Sequence, residues 1–213
     1  MRDRVLLNSE SDAVKHLLKN DSTIARVISL VGPIEYIPYD DSYSFLVANI
    51  IAQMLSNKAG DTITNRLVEL CNGQITVRNI NNLTDDQIRN TGISNAKVSY
   101  IRNLTRAVVS GEIDFCALAK KNDSDIIQRL TKIKGIGSWT AKMYLIFVLD
   151  RKNVLPFEDG AFCAAYKWAY STQDVSPKSI KKNTESWNPY CSIASRFLYR
   201  ALDSGMTKKG DML

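Results

Sequence analysis

One histidine, four scattered cysteines and no long apolar run leave this sequence few of the common chemistries. His16 is the only histidine, so a Ser-His-Asp triad or a histidine-rich metal site would have to be built on it. It reads as a surface or core residue. Cys71, Cys116, Cys163 and Cys191 are spread too widely for a zinc ribbon or an iron–sulfur loop. They read as four buried free thiols of a reducing compartment. No run reaches the ~18 apolar residues of a membrane span. The first residues, with Arg2, Asp3, Arg4 and Glu10, have no signal-peptide pattern. An intracellular protein with no membrane partner is the expectation. Catalysis, if present, has to rest on carboxylates or lysines.

What is present is ordinary in amount and uneven in placement. Apolar residues make up 45% and charged residues 23% of the 213, the balance of a folded globular protein. The net charge is +6 and the pI near 9.1. Residues 1–127 sum to −1, residues 128–182 to +6, and residues 183–213 to +1. The excess is therefore confined to about a quarter of the chain. It can be a solvated face or an electrostatic footprint for phosphates.

Helical periodicity runs throughout, and strand-like alternation is scarce, so the class is all-α. Residues 10–30 read as a helix with Val14, Leu17, Leu18, Ile24, Val27, Ile28 and Leu30 apolar. Residues 42–57 form a helix apolar nearly all round, hence a buried one. Further helices are expected over 60–71, 84–90, 95–110, 124–133, 138–149, 160–171, 177–184 and 189–203. The tail from Gly205, with Lys208, Lys209 and Gly210, is expected to fray.

The sharpest local signal is Leu130-Thr-Lys-Ile-Lys-Gly-Ile-Gly-Ser-Trp-Thr-Ala141. One helix ends near Ile133, Gly135 and Gly137 permit a tight turn, and Ser138 can cap the next helix. A helix start offers N–H groups and a partial positive charge to a phosphate. Glycines let a DNA backbone approach closely. With Ile133, Ile136 and Ala141 in register inside the +6 stretch, a helix-hairpin-helix for sequence-independent DNA binding outweighs a plain glycine turn. A second signal follows in Val154-Leu-Pro-Phe-Glu-Asp-Gly160, where Asp159 falls at a helix N-cap. An ionised carboxylate there can be a simple cap. It can also stabilise the positive charge that develops on a sugar when an N-glycosidic bond breaks, or orient the attacking water.

The order of these features resembles the HhH-GPD DNA glycosylases, and within them the 3-methyladenine glycosylase II branch. Ile51-Ala-Gln-Met-Leu-Ser56 is similar to that branch's Gln-x-x-Ser helix, and Gly92-Ile-Ser-Asn-Ala-Lys97 to its Gly-x-Ser-x-x-Lys turn. Gly135-Ile-Gly-Ser-Trp-Thr-Ala141 matches its Gly-Ile-Gly-x-Trp-Thr-Ala, and Leu155-Pro-Phe-Glu-Asp-Gly160 its catalytic loop. Trp187-Asn-Pro-Tyr-Cys-Ser-Ile-Ala194 resembles its Trp-x-Pro-Tyr-Arg-Ser-x-Ala, with Cys191 in place of the arginine. The resemblance covers about residues 40–203.

The resemblance implies two helical subdomains flanking a DNA-binding cleft. One would comprise residues 1–39 and 151–213; the other, residues 40–150, would carry the hairpin over 130–149. It makes Asp159 the catalytic aspartate and Met54 the wedge that fills the gap left by a flipped nucleotide, with Gln53 reaching a base edge; from the residues alone Met54 can equally be a core residue. It places phosphates on Gly135, Gly137, Ser138 and Thr140. The base pocket would be lined by Trp139, Tyr199 and Met143, the last replacing an aromatic of some members. Trp139 holds the position of the lysine of bifunctional branches, so a monofunctional enzyme is implied. The substrate would be double-stranded DNA with a damaged base, an alkylated purine of the 3-methyladenine type, bound by a monomer. Uracil, hypoxanthine or an oxidised purine as the lesion, or a non-catalytic hairpin protein, stay open as alternatives. No cofactor is required and no iron–sulfur cluster is expected. The resemblance also implies a structural Na+ or K+ on the carbonyls of Thr131, Ile133 and Ile136. The short, all-helical form without the β-rich N-terminal domain of longer members is the expectation.

Overall fold

The computed structural model describes residues 2–208. In chain order the elements are β1 (Val5–Leu7), α1 (Asp12–Asn20), α2 (Ser22–Val31), β2 (Ile34–Tyr36), α3 (Ser42–Ala52), α4 (Asn57–Leu70) and α5 (Val77–Asn82). Then come α6 (Asp85–Asn90), α7 (Asn95–Val109), α8 (Phe115–Ala119), α9 (Asp123–Thr131) and α10 (Ser138–Phe147). The last are α11 (Gly160–Tyr170), α12 (Pro177–Asn183) and α13 (Cys191–Asp203). The chain forms two compact units. One is the continuous run Tyr39–Leu149; the other joins the residues through Pro38 to those from Asp150 on.

The continuous unit is helical throughout. α3 buries Phe45, Leu46, Val47, Ile50 and Ile51 on several sides, as its near-uniform apolarity requires. Fully burying each such side chain stabilises the fold by about 1.5–3 kcal/mol. α4, α7 and α10 pack against it. The crossing with α4 is close: a Cβ on Gly60 would lie 3.3 Å from the Cβ of Ala52. Asp41, Ser56, Thr84, Ser94 and Asn122 cap α3, α4, α6, α7 and α9 through their side chains.

The discontinuous unit pairs β1 with β2 antiparallel, Leu6 opposite Glu35, in a small sheet that sequence periodicity did not reveal. Strands of three residues are too short to show alternation. Its core is formed by α1, α2, α11 and α13 around Leu17, Ile24, Val27, Phe162, Tyr166, Trp187 and Phe197. The helix expected over 10–30 is broken at Asp21. That residue is extended, and its carboxylate accepts from the backbone N–H groups of Thr23 and Ile24 at 2.9 and 3.0 Å. Its other oxygen accepts from Trp187 Nε1 at 2.9 Å and from the Tyr170 hydroxyl. One carboxylate thus caps α2 and pins two core aromatics. Burial, then the bond to Asp21, raises the Tyr170 phenol far above its ordinary range.

Other expectations are corrected in detail. The helix expected over 42–57 stops at Ala52, and a loop at Gln53–Ser56 separates it from α4. α5 and α8 are additions, each a short turn burying one aliphatic, Ile80 or Leu118. Of the four thiols expected to be buried, Cys71 and Cys191 are, Cys163 is half-buried and Cys116 is exposed. His16 packs edge-on against Tyr190, with Nε2 3.0 Å from the Ser186 carbonyl. In the tail expected to fray, Met206–Lys208 forms a 3₁₀ turn, while Lys209 and Gly210 lie outside the described residues. Among the described residues no helix is long and apolar enough to cross a membrane.

Candidate functional site

Asp159 is buried and is the N-cap of α11. Its Oδ1 accepts from the Phe162 backbone N–H at 2.7 Å, which fixes the carboxylate at the positive end of the helix. The approach is a tight turn, with the Asp159 N–H donating to the Pro156 carbonyl at 2.9 Å. Tyr199, on α13, stands beside it. Burial, then the Asp159 charge, then a hydrogen bond to that carboxylate hold its phenol well above the usual tyrosine value. One turn into α11 the Cys163 thiol donates to the Phe157 carbonyl at 3.3 Å and is pushed up by burial and by Asp159. A fixed, water-poor carboxylate next to a neutral phenol can stabilise a nearby cation or orient a water molecule.

The loop that leads to Asp159 is stitched at several points. Asp150 takes a left-handed backbone, φ 51°, and its carboxylate accepts from the Tyr36 hydroxyl at 2.9 Å and Arg196 Nη2 at 3.1 Å. The Arg196 guanidinium lies 3.7 Å over the Tyr36 ring. Ser192 accepts from the Val154 N–H at 2.9 Å and donates its own N–H to the Lys152 carbonyl at 2.9 Å. Asn153 donates to the Asn188 side chain at 2.6 Å and accepts from the Cys191 N–H at 3.4 Å. The Trp187–Ala194 motif therefore ties down the loop. Cys191 contributes its backbone, while its thiol is buried and raised to about 11 by burial.

In the hairpin the two glycines differ. Gly135 has φ 109°, and a Cβ there would come within 2.3 Å of the Tyr100 Cβ and Cγ. The protein itself demands that glycine. Gly137 has an ordinary extended backbone, and a Cβ there would meet nothing within 4 Å. It, not Ser138, is the N-cap of α10, so the expected serine cap is corrected: Ser138 is the first helical residue, and the N-cap has no side chain to spend on the helix N–H groups. The turn is held from α7 by Asn103, which donates to the Lys134 carbonyl at 3.0 Å. Thr140, expected on a phosphate, is buried, so its hydroxyl is withdrawn from that role. Trp139 is half-buried, and Met143 is buried within α10.

The loop after α3 presents Met54 to solvent. Met54 is 101% exposed with φ 58°, a conformation that costs a non-glycine residue about 1–2 kcal/mol. It is not a core residue. Gln53, expected at a base edge, donates its amide to the Gly135 carbonyl at 2.9 Å and to Thr140 Oγ1 at 3.4 Å. Lys97 reaches the same loop, donating to the carbonyls of Ile51 and Gln53 at 2.7 Å each. The structure thus joins Gln53, Gly135 and Thr140 in one unit and Asp159 and Tyr199 in the other. Sequence reasoning missed Lys97, Tyr100, Arg196 and Ser192 as individual actors. Lys97 and Ser192 lay inside quoted motifs, which was the available signal. Tyr100 and Arg196 carried none.

Residues 47–189 match the family model described as HhH-GPD superfamily base excision DNA repair protein. DNA-3-methyladenine glycosylase 1 of Schizosaccharomyces pombe is 30% identical over 202 residues, 92% of this chain and 89% of that protein. Among solved structures, a DNA-3-methyladenine glycosidase from Bacillus halodurans is similar with a TM-score of 0.83 and 30% identity, covering 95% of this chain and 94% of that one. A 3-methyladenine DNA glycosylase of S. pombe, solved in complex with abasic DNA, gives a TM-score of 0.84 and 28% identity, covering 91% and 97%.

Proposed function

The chain belongs to the HhH-GPD superfamily of base excision DNA repair proteins, and from that premise we propose that it is a monofunctional DNA glycosylase. It flips alkylated purines of the 3-methyladenine type from duplex DNA and hydrolyses their N-glycosidic bond. The observation that carries this reading is Asp159, a buried carboxylate fixed at a helix start beside Tyr199. As the bond to the base lengthens, positive charge grows on the sugar, and Asp159 stabilises it and orients the incoming water. Alkylation at N3 or N7 makes the purine cationic, so it departs as a neutral group without a general acid. His16, tied to the Ser186 carbonyl, need not supply one.

The hairpin holds the phosphates, through the open edge at Gly137 and the start of α10 at Ser138. Met54 fills the gap in the duplex, and Tyr199 stacks on the extrahelical base, with Trp139 keeping the pocket role the resemblance gives it. A monovalent cation on the carbonyls of Thr131, Ile133 and Ile136 fits the end of α9, where carbonyls outnumber donors; that of Ile133 accepts from the Ile136 N–H at 3.0 Å and keeps a second lone pair. It would brace the turn only. The protein is taken to act as a monomer on cellular DNA.

The test is a panel of duplexes, each with one lesion: an N-alkylated purine, uracil, hypoxanthine or an oxidised purine. Release of the alkylated purine is expected. Release confined to another lesion would replace the substrate, and tight binding with no release would leave a DNA-binding protein only. With Trp139 at the bifunctional lysine position, borohydride should trap no protein–DNA adduct during release. A trapped band, traced by peptide mapping to Lys134 or Lys142, would show a Schiff base instead.

A further inference from the structure

We propose that Lys97 is the positioning residue of the flipping device: its ammonium arrests α3 and holds Met54 out toward the duplex. This rests on the glycosylase reading above. Lys97 is the third residue of α7, whose N-cap is Ser94. A cation in the first turn of a helix is opposed by the helix dipole. Lys97 is also half-buried, and burial lowers its ammonium below the ordinary lysine value. Nothing in α7 itself calls for a charge there.

Its two partners explain it. In a continuing helix the Ile51 carbonyl would take the Leu55 N–H, but that N–H goes to the Ala52 carbonyl at 3.1 Å. The Lys97 ammonium supplies the missing donor to Ile51 and a second bond to Gln53, each 2.7 Å. The chain then leaves the helix at Gln53 and turns through Met54 in the left-handed region. A second tie, from the Gln53 amide to the Gly135 carbonyl, joins the same loop to the hairpin. A wedge pressed into stacked bases pushes back on its own backbone. Methionine favours the helix, so without the clamp the loop relaxes toward a longer α3 and Met54 retreats. Lys97 thereby converts a helix end into a rigid support, in the same compact unit as the hairpin.

Three variants and two duplexes test this. Lys97→Met keeps the aliphatic stem without donors, Lys97→Arg restores them, and Lys97→Leu, also without donors, serves if Lys97→Met does not fold. One duplex holds the alkylated purine in a normal pair; the other holds it in a one-nucleotide bulge, already unstacked. In single turnover, Lys97→Met should lose on the order of tenfold to a hundredfold on the paired lesion. It should stay within about twofold of the parent on the bulged lesion, with undamaged-duplex binding unchanged and Lys97→Arg recovering most of the loss. Equal loss on both duplexes, or none on the paired one, would overturn the assignment. Amide exchange in the free protein gives a readout without activity: Lys97→Met should speed exchange over residues 51–56, and Lys97→Arg should restore it. Unchanged exchange would also sink the clamp. If the parent protein releases neither base, the glycosylase reading fails, and exchange alone decides on Lys97.

Discussion

Asp159→Asn loses base release by on the order of a thousandfold or more, while the fold and duplex binding persist. On the proposed reading the side chain has two jobs, and asparagine keeps one. Its oxygen can accept from the Phe162 N–H as Oδ1 does now, at 2.7 Å, and asparagine caps helices about as well as aspartate. The negative charge is gone, and with it the stabilisation of the sugar cation. Asp159→Ala loses both, so it should melt lower as well, by about 1 kcal/mol or ~2–4 °C. Base release in single turnover, thermal melting and a band shift on undamaged duplex separate the two jobs. If Asp159→Asn releases base at within tenfold of the parent rate, Asp159 is only a cap.

The second large effect is expected at Gly135, with Gly137 as its control. An alanine at 135 needs φ near 109° and places its methyl 2.3 Å from two Tyr100 carbons. Strain and overpacking together cost about 3 kcal/mol or more, a melting temperature lower by roughly 10 °C. Alanine at 137 meets no protein atom within 4 Å and adopts an ordinary backbone, so melting should fall by about 1 kcal/mol or less. Its methyl does occupy the edge that a phosphate would approach. Affinity for undamaged duplex, compared at one fixed salt concentration, should drop about tenfold. A Gly135→Ala protein as stable as the parent would mean Tyr100 yields readily. A Gly137→Ala protein that binds as the parent does would place the phosphate grip elsewhere.

Much of the helical order was legible because long amphipathic helices declare themselves, as α7 does with Val98, Ile101 and Leu104. What stayed hidden was set by single polar side chains acting at a distance. Periodicity runs unbroken through Asp21, yet its carboxylate splits α1 from α2 by capping Thr23 and Ile24, and the bonds from Trp187 and Tyr170 that hold it there come from far along the chain. Periodicity likewise carries α3 past Ala52, where Lys97, 44 positions beyond Gln53, and the Gly135 carbonyl, further still, hold the loop that ends it. At the site, Asp159 was readable from a local pattern. Tyr199 beside it depended on a family pattern, since α11 and α13 meet only in the fold. The burial of the Thr140 side chain was not readable, because a motif records residue types, not which way they face.

The division of the chain has a bearing on its synthesis. The unit that bears the hairpin is one uninterrupted run, ending at Leu149, whereas the unit that bears Asp159 is split around it. A ribosome therefore delivers every residue of the DNA grip before the first residue of the Asp159 loop. The residues of α13 that stitch that loop, Ser192 and Arg196, emerge later still. Because domains generally fold as units in the order they emerge, the hairpin-bearing unit can be complete in a growing chain before any residue of the Asp159 loop has been made.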